Sequence, residues 1–180
     1  MRLVASSLTW PRIVTALAFP AFAVMMIQVH KRVWIRDTEV ALRSGYLPKK
    51  GSLGSLTSPV TGCLKFLHRI DGDTLQTFLA NSTNDSQREL VVAMIGWKQR
   101  SDLLPFLKAL GRSGDKIARY ATLSAVAIET RIPFPGREFG REYFSLYARR
   151  AALLSKEKGV PVQEAALRVA EELHKAGAFD

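Results

Sequence analysis

Residues 68–75, which read HRIDGDTL, hold a small cluster of side chains that can bind a metal ion or move a proton. His68, Asp71 and Asp73 supply one imidazole and two carboxylates, and such groups can ligate a cation or act in acid–base catalysis. The same letters are also typical of a hairpin, because Asp-Gly between two apolar segments is a strong turn signal. His68 would then be a surface residue and Asp73 a turn former.

Other patterns for catalysis or cofactor binding are missing from the sequence. Cys63 is the one cysteine, so the chain can form neither an internal disulfide nor a cysteine metal cluster. The sequence contains no phosphate-binding loop, haem-attachment motif or Ser-His-Asp pattern. We therefore expect no cofactor, no catalytic residue and no metal site beyond the candidate Asp73.

The charge of the chain is unevenly distributed. The formal net charge is +10, and half of it comes from residues 1–36, which hold five basic residues and no acid. The remainder is only mildly basic, which makes nucleic acid an unlikely partner. With 47% hydrophobic and 23% charged residues, the chain has the composition of an ordered protein with room for one domain.

An apolar segment near the start has the features of a membrane helix. Residues 13–29 carry no charge and would span roughly 25 Å as a helix, close to the lower limit for a bilayer. Aromatic and basic residues flank this segment, as they do at membrane interfaces, and membrane helices tolerate an internal proline. The predicted anchor residues are Trp10, Ile13, Pro20, Val29, Lys31, Arg32 and Trp34.

Two removable segments share this composition. Residues 21–23 have the small-x-small form of a signal-peptide cleavage site, and an acid-free basic segment with serines is also typical of a mitochondrial presequence. The apolar length and the flanking residues favour a retained single-pass helix. Basic residues are more numerous after the helix than before it, which places the C-terminal part on the cytoplasmic or mitochondrial-matrix side.

The rest of the chain divides by composition into three parts. Residues 1–44 would form the anchor with its helical extension, 45–62 a Gly/Pro/Ser linker, and 63–180 a soluble domain. Within this domain, 63–70, 74–80 and 88–97 read as strands, although 88–97 is short enough to be a helix, and 115–131 is ambiguous between strand and helix. Helices are expected at 101–110, at 137–158 and at 161–176.

The strand–IDGDTL–strand pattern resembles the first hairpin of the staphylococcal nuclease-like (thermonuclease) family. This resemblance implies an α+β fold, with a small OB-type β-barrel and C-terminal helices behind the membrane helix. It also implies that Asp73 is a calcium ligand. However, Val91 stands where the family has an arginine, Gly96 where it has a second metal aspartate, and Gln99 where it has a glutamate. The resemblance therefore implies a degenerate, non-enzymatic copy, because one carboxylate cannot hold a calcium ion.

A second resemblance predicts an all-α alternative. DSQRELVVAMIGW and GDKIARYATLSAVA align with Arg88 over Arg119 at a spacing of 31, and LLPFL at 103–107 echoes LQTFL at 75–79. This pattern resembles HEAT-type helical repeats, and Ser86-x-x-Glu89 is a capping box that favours a helix start.

The aromatic and basic run at 137–150, REFGREYFSLYARR, has two interpretations. It could contact RNA or lipid headgroups. A helix with a charged face and a core face formed by Phe139, Tyr143, Leu146 and Tyr147 also accounts for it, and we favour this second interpretation.

These features lead to one expected function. We expect a non-catalytic, membrane-anchored accessory or scaffold subunit of a large complex, of the respiratory-chain type, in the mitochondrial inner membrane. Its partners would be other subunits of the complex and the lipid bilayer. The alternatives are a membrane-tethered calcium-dependent nuclease and a basic module that tethers nucleic acid or ribosomes to the membrane.

Overall fold

The computed structural model describes residues 10–45, 67–132, 134 and 140–176, with the side chains of 10–19, 34 and 141 left out. The regular structure in these ranges is helical. The α-helices are α1 (Trp10–Arg43), α2 (Gly72–Asn81), α3 (Asp85–Trp97), α4 (Leu104–Arg112), α5 (Ala118–Glu129), α6 (Gly140–Lys158) and α7 (Val162–Lys175). Short 3-10 turns at Leu67–Arg69 and Ser101–Leu103 precede α2 and α4. The predicted linker lies mostly outside the described residues, as does Cys63.

The predicted α+β fold with a nuclease-like OB barrel is wrong, because the described ranges contain no β-strand. The segments expected as strands at 74–80 and 88–97 lie in α2 and α3. In α2 the buried apolar residues are Leu75, Phe78 and Leu79, which follow the i, i+3, i+4 spacing of one helix face. Helical periodicity, and not alternation, therefore governs this part of the chain.

Six of the helices form three successive helical hairpins: α2 with α3, α4 with α5, and α6 with α7. The two helices of each pair pack together, and the second helices also pack on one another, α3 on α5 and α5 on α7. Arg88 and Arg119, which the sequence comparison aligned, both lie in the first turns of second helices. The helical alternative therefore agrees better with the fold than the barrel does.

The apolar core has two parts that meet at Trp97. One part joins α2, α3, α4 and α5, and it also includes Leu42 from the end of α1. The other part joins α5, α6 and α7 around Phe144 and Tyr147. Trp97 packs against both clusters, so the three hairpins share a continuous interior.

Several predicted helix ends are confirmed. Gly45 and Gly159 adopt positive φ angles of 74° and 63° just after α1 and α6. Glycine is favoured there because the left-handed conformation is strained for residues with a Cβ. Pro161 is the N-cap residue of α7, directly before its first turn. The ambiguous segment 115–131 contains helix α5.

The predicted membrane anchor is wrong. In the part of the chain that the structure describes, no helix combines the length and the apolar character needed to cross a membrane. The predicted single-pass localisation in the mitochondrial inner membrane depends on this anchor and is therefore also wrong.

Candidate docking surfaces

The stretch HRIDGDTL begins a helix. His68 lies in a 3-10 turn, Asp71 is the N-cap of α2, and Asp73 is in the first turn of that helix. The Asp71 carboxylate accepts hydrogen bonds from the Thr74 backbone N–H (3.0 Å) and from the Thr74 hydroxyl (3.3 Å). A two-residue hairpin would need a positive φ at the glycine, but Gly72 is not among the described glycines with positive φ. Asp71 therefore has a capping role.

The positions compared with the nuclease family have structural roles in the helical fold. Val91 is completely buried in the core. The Cα of Gly96 approaches Ser124 so closely that a Cβ would lie 2.7 Å from the Ser124 Oγ. The Gln99 side-chain amide donates to the carbonyls of Gly96 (3.2 Å), Ala127 (3.2 Å) and Ile132 (3.1 Å). These side chains stabilise helix packing and helix ends.

Metal binding finds no support in the described ranges. They contain no group of three or more His, Cys, Asp or Glu side chains that could hold a metal ion. Asp73 is exposed on the first turn of α2, where its negative charge interacts favourably with the helix dipole. The nuclease-like barrel that would have made Asp73 a calcium ligand is wrong, because the described ranges contain no β-strand.

Two largely buried arginines tie successive elements together. The Arg88 guanidinium donates to the Leu79 carbonyl at the end of α2 (2.8 Å) and pairs with Asp85 (3.3 Å) and Asp115 (2.5 Å). Arg100 donates to the carbonyls of Leu67 (2.5 Å) and Ile70 (2.9 Å). Charged donors form strong hydrogen bonds with backbone carbonyls, so these contacts stabilise the segments that flank α2.

The ion pairs around Arg88 shift the titration of its partners. The hydrogen bond from Arg88 lowers the pKa of Asp115, and the hydrogen bond from Lys116 lowers the pKa of Asp85. In the second core cluster, burial raises the pKa of Tyr147, whose hydroxyl donates to the Leu123 carbonyl at 3.1 Å. Each of these groups has a structural partner.

A first candidate surface lies on α1. Six large apolar side chains between residues 22 and 29 are each about half exposed, from 49% for Val29 to 58% for Phe22 and Val24. We call these residues the apolar segment of α1: Phe22, Val24, Met25, Met26, Ile27 and Val29. At 100° per residue they point to all sides of the helix.

The predicted anchor residues are found on this helix or fall outside the described side chains. Pro20, Val29 and Arg32 are exposed, and Lys31 is half-buried. The side chains of Trp10, Ile13 and Trp34 lie outside the described residues. The sequence therefore identified the apolar character of this helix, although the predicted membrane role is wrong.

A second candidate surface is a groove between α3, the start of α5, and α6, which we call the α3–α6 groove. Its larger part has a volume of about 530 Å³. A neighbouring part of about 230 Å³ shares Ala93, Tyr120, Phe144 and Ser145 with it and extends along α3 to Glu89 and Trp97. The larger part is lined by Ala93, Arg119, Tyr120, Phe144, Ser145, Ala148, Arg149, Ala152, Leu153 and Lys156.

The groove shows which part of the predicted 137–150 helix was wrong. Tyr147 is buried, as expected, but Tyr143 and Leu146 are exposed at 36% and 59%. The core face of α6 is instead formed by Phe144, Tyr147, Ala148 and Ala151. Phe139 lies outside the described residues. Helix α6 has a second face, which lines the groove. The sequence signal for this face was the heptad spacing of small and basic residues at 145, 149, 152 and 156.

The two surfaces are features that a partner could contact. The first is an apolar segment of α1 that is exposed on all sides, and the second is a groove lined by apolar residues and by basic residues of α5 and α6. Comparisons of the chain with protein-family models, with curated proteins and with solved structures found no match.

Proposed function

We propose that this protein is a non-catalytic accessory subunit of a multi-protein assembly, and that helices of partner subunits enclose the apolar segment of α1. The observation that carries this proposal is the exposure of six large apolar side chains on all sides of one helix. Helices that are apolar on all sides are ordinarily buried, whereas a helix at the surface of a globular protein has a polar face.

The energetic drive for association is large. Complete burial of a Val, Met, Ile or Phe side chain contributes about 1.5–3 kcal/mol, and all six side chains of the apolar segment retain about half of their exposure. Contiguous apolar surface of this kind is typical of interaction sites in ordered proteins.

The attachment of α1 to the body supports a structural role. At its C-terminal end α1 packs on α2, with Leu42 fully buried in the first core cluster and Thr38 also buried. The Arg43 side chain donates to the Thr74 hydroxyl at 3.2 Å. Helix α1 is continuous from the apolar segment to its contact with α2. A partner that binds the apolar segment would therefore also position the three helical hairpins.

The non-catalytic part of the proposal rests on the roles of the groups most suited to chemistry. Asp71 caps α2, Gln99 bonds three carbonyls, and Arg88 joins α2 to α3 and to the loop before α5. Gln99 is one of the positions that the nuclease comparison singled out, and two others, Val91 and Gly96, lie in helix packing contacts.

Co-purification tests this proposal with two matched valines on the same helix. Val24 lies in the apolar segment and Val40 near the body, with exposures of 58% and 62%. Tagged full-length protein, isolated from cells that normally express it, is expected to bring down a defined set of proteins in fixed ratio. We expect Val24→Glu to lose this set and Val40→Glu to keep it.

Two outcomes would contradict the proposal. If the unmodified protein is isolated as a monomer, it is not a subunit of an assembly. Equal recovery of partners with both variants would show that the apolar segment is not the contact. Recovery of nucleic acid in place of proteins would favour the tethering function instead.

A further inference from the structure

The larger part of the α3–α6 groove has an uncompensated positive charge, whereas Glu89 lines the smaller part. Arg119 lies at the start of α5, and Arg149 and Lys156 lie two helical turns apart on α6. Within the described residues, none of the three forms an ion pair. By contrast, Arg150 on the same helix pairs with Glu172 at 2.7 Å, and Arg168 pairs with Glu164. The larger part of the groove contains no acidic residue.

The floor of the groove can accept the face of another helix. The apolar lining of its larger part includes three small residues, Ala93, Ala148 and Ala152, together with Tyr120 and Leu153. Small side chains let two helices approach to an axial distance of about 8 Å. From Ser145 to Lys156 the wall formed by α6 is roughly 16 Å long, enough for about three turns of a bound helix.

The longest segment that the structure does not describe, residues 46–66, is not a suitable occupant. Residues 46–66 carry Lys49, Lys50 and Lys65 and no acid, so their charge has the same sign as the groove. A second copy is disfavoured in the same way, because the net charge of each chain is +10. Charge complementarity therefore points to an acidic partner.

We propose that the α3–α6 groove binds an amphipathic helix of an acidic partner protein. The apolar face of that helix packs on Ala93, Ala148 and Ala152, while its Asp or Glu residues meet Arg119, Arg149 and Lys156. Helix-in-groove recognition uses anchors at i, i+3, i+4 and i+7, which match the spacing of the α6 wall. This site is separate from the apolar segment of α1, so the inference goes beyond the proposed function and does not depend on it.

A displayed library of helix-forming peptides of about 18 residues (five turns) provides the probe. Peptides are selected on the full-length protein, and their affinities are measured by fluorescence anisotropy. We expect the selected peptides to share an apolar stripe with acidic residues at i and i+3, i+4 or i+7. A selection without this acidic pattern would overturn the proposal.

Matched charge reversals locate the binding site. The double variant Arg149→Glu/Lys156→Glu removes two groove cations, and Arg32→Glu/Lys175→Glu makes the same change in net charge at exposed positions elsewhere. We expect the groove variant to weaken peptide binding about tenfold more than the control does. Equal losses in both variants would mean attraction to net charge alone and would contradict the proposal.

A third variant tests the floor without changing the charge. Ala152→Leu fills the space that a bound helix would occupy, so we expect weaker peptide binding while Arg149 and Lys156 remain. Unchanged affinity would contradict docking in this groove.

The same anisotropy assay with a single-stranded RNA oligonucleotide tests whether the groove binds nucleic acid instead. If RNA binds more tightly than the peptides, and the Arg149→Glu/Lys156→Glu variant loses this RNA binding, the groove is a nucleic-acid site and the proposal is wrong.

Discussion

At the scale of single residues, Asp71 shows how one carboxylate can match two motifs. Its position before Gly72 and Asp73 predicts a hairpin from the sequence. In the fold its carboxylate accepts from the Thr74 backbone N–H, and the chain continues as helix α2. Asp73, the residue that a nuclease would use, is one helical position away from this bond and lies exposed in the first turn.

The two carboxylates are therefore expected to differ in their effect on stability. We expect Asp71→Ala to lower the free energy of unfolding by about 1 kcal/mol, because an N–H at the start of α2 loses its acceptor. Asp73→Ala is expected to cost about 0.5 kcal/mol or less, because it removes only a favourable interaction with the helix dipole. Urea unfolding of the two variants gives the comparison. A larger loss for Asp73→Ala would contradict the capping assignment.

The sequence signals for this helix start were present but ambiguous. An Asp three residues before a Thr fits an N-cap, and Leu75, Phe78 and Leu79 have helical spacing. Asp-Gly is also a turn signal, and a run as short as TLQTFLA matches both a strand and a helix. Only the packing of α2 on α1 and α3 selects the helix.

At the scale of elements, the close approach of α3 to α5 depends on the absence of a side chain at Gly96. A Cβ at this position would lie 2.7 Å from the Ser124 Cβ and 2.8 Å from its Cα. The buried Ser124 hydroxyl donates to the Val92 carbonyl across the same contact at 2.8 Å. The two second helices of neighbouring hairpins are therefore held at a short distance.

Substitution of this glycine measures the contact. We expect Gly96→Ala to lower the free energy of unfolding by about 1–3 kcal/mol, because the new methyl group meets backbone and forces the two helices apart. Gly114→Ala is the matched control, since a Cβ at Gly114 meets nothing within 4 Å. Urea unfolding midpoints give both values, and an unchanged midpoint for Gly96→Ala would show that α3 and α5 are not in close contact.

Helix positions were easier to predict than helix partners. The ends at Gly45, Gly159 and Pro161 follow from local backbone preferences, and these predictions are confirmed. The strand expected at 88–97 is wrong, because a buried run with Val91, Val92 and Ile95 satisfies either type of element until its neighbours are known. The local signal for a helix was the Ser86-x-x-Glu89 pattern, although the N-cap is Asn84, whose side chain accepts from the Gln87 N–H at 3.2 Å.

At the scale of the whole molecule, the two candidate surfaces were predictable to different degrees. The apolar character of α1 can be predicted from its sequence. The sequence does not show whether lipid or protein surrounds the helix, because both environments favour the same apolar residues. The α3–α6 groove combines residues from three helices that are separated by up to about sixty positions in the chain. Its cations are adjacent only after α3, α5 and α6 have packed.

The central claim is that partner proteins enclose the apolar segment of α1. It is tested most directly by a photo-crosslinking amino acid placed at Met25 of the full-length chain, with Val40 as the control position on the same helix. After irradiation in cells that normally express the protein, we expect discrete adducts with one or a few partner proteins from position 25. We expect none of these adducts from position 40. Adducts with lipid alone, or equal labelling from both positions, would contradict the claim.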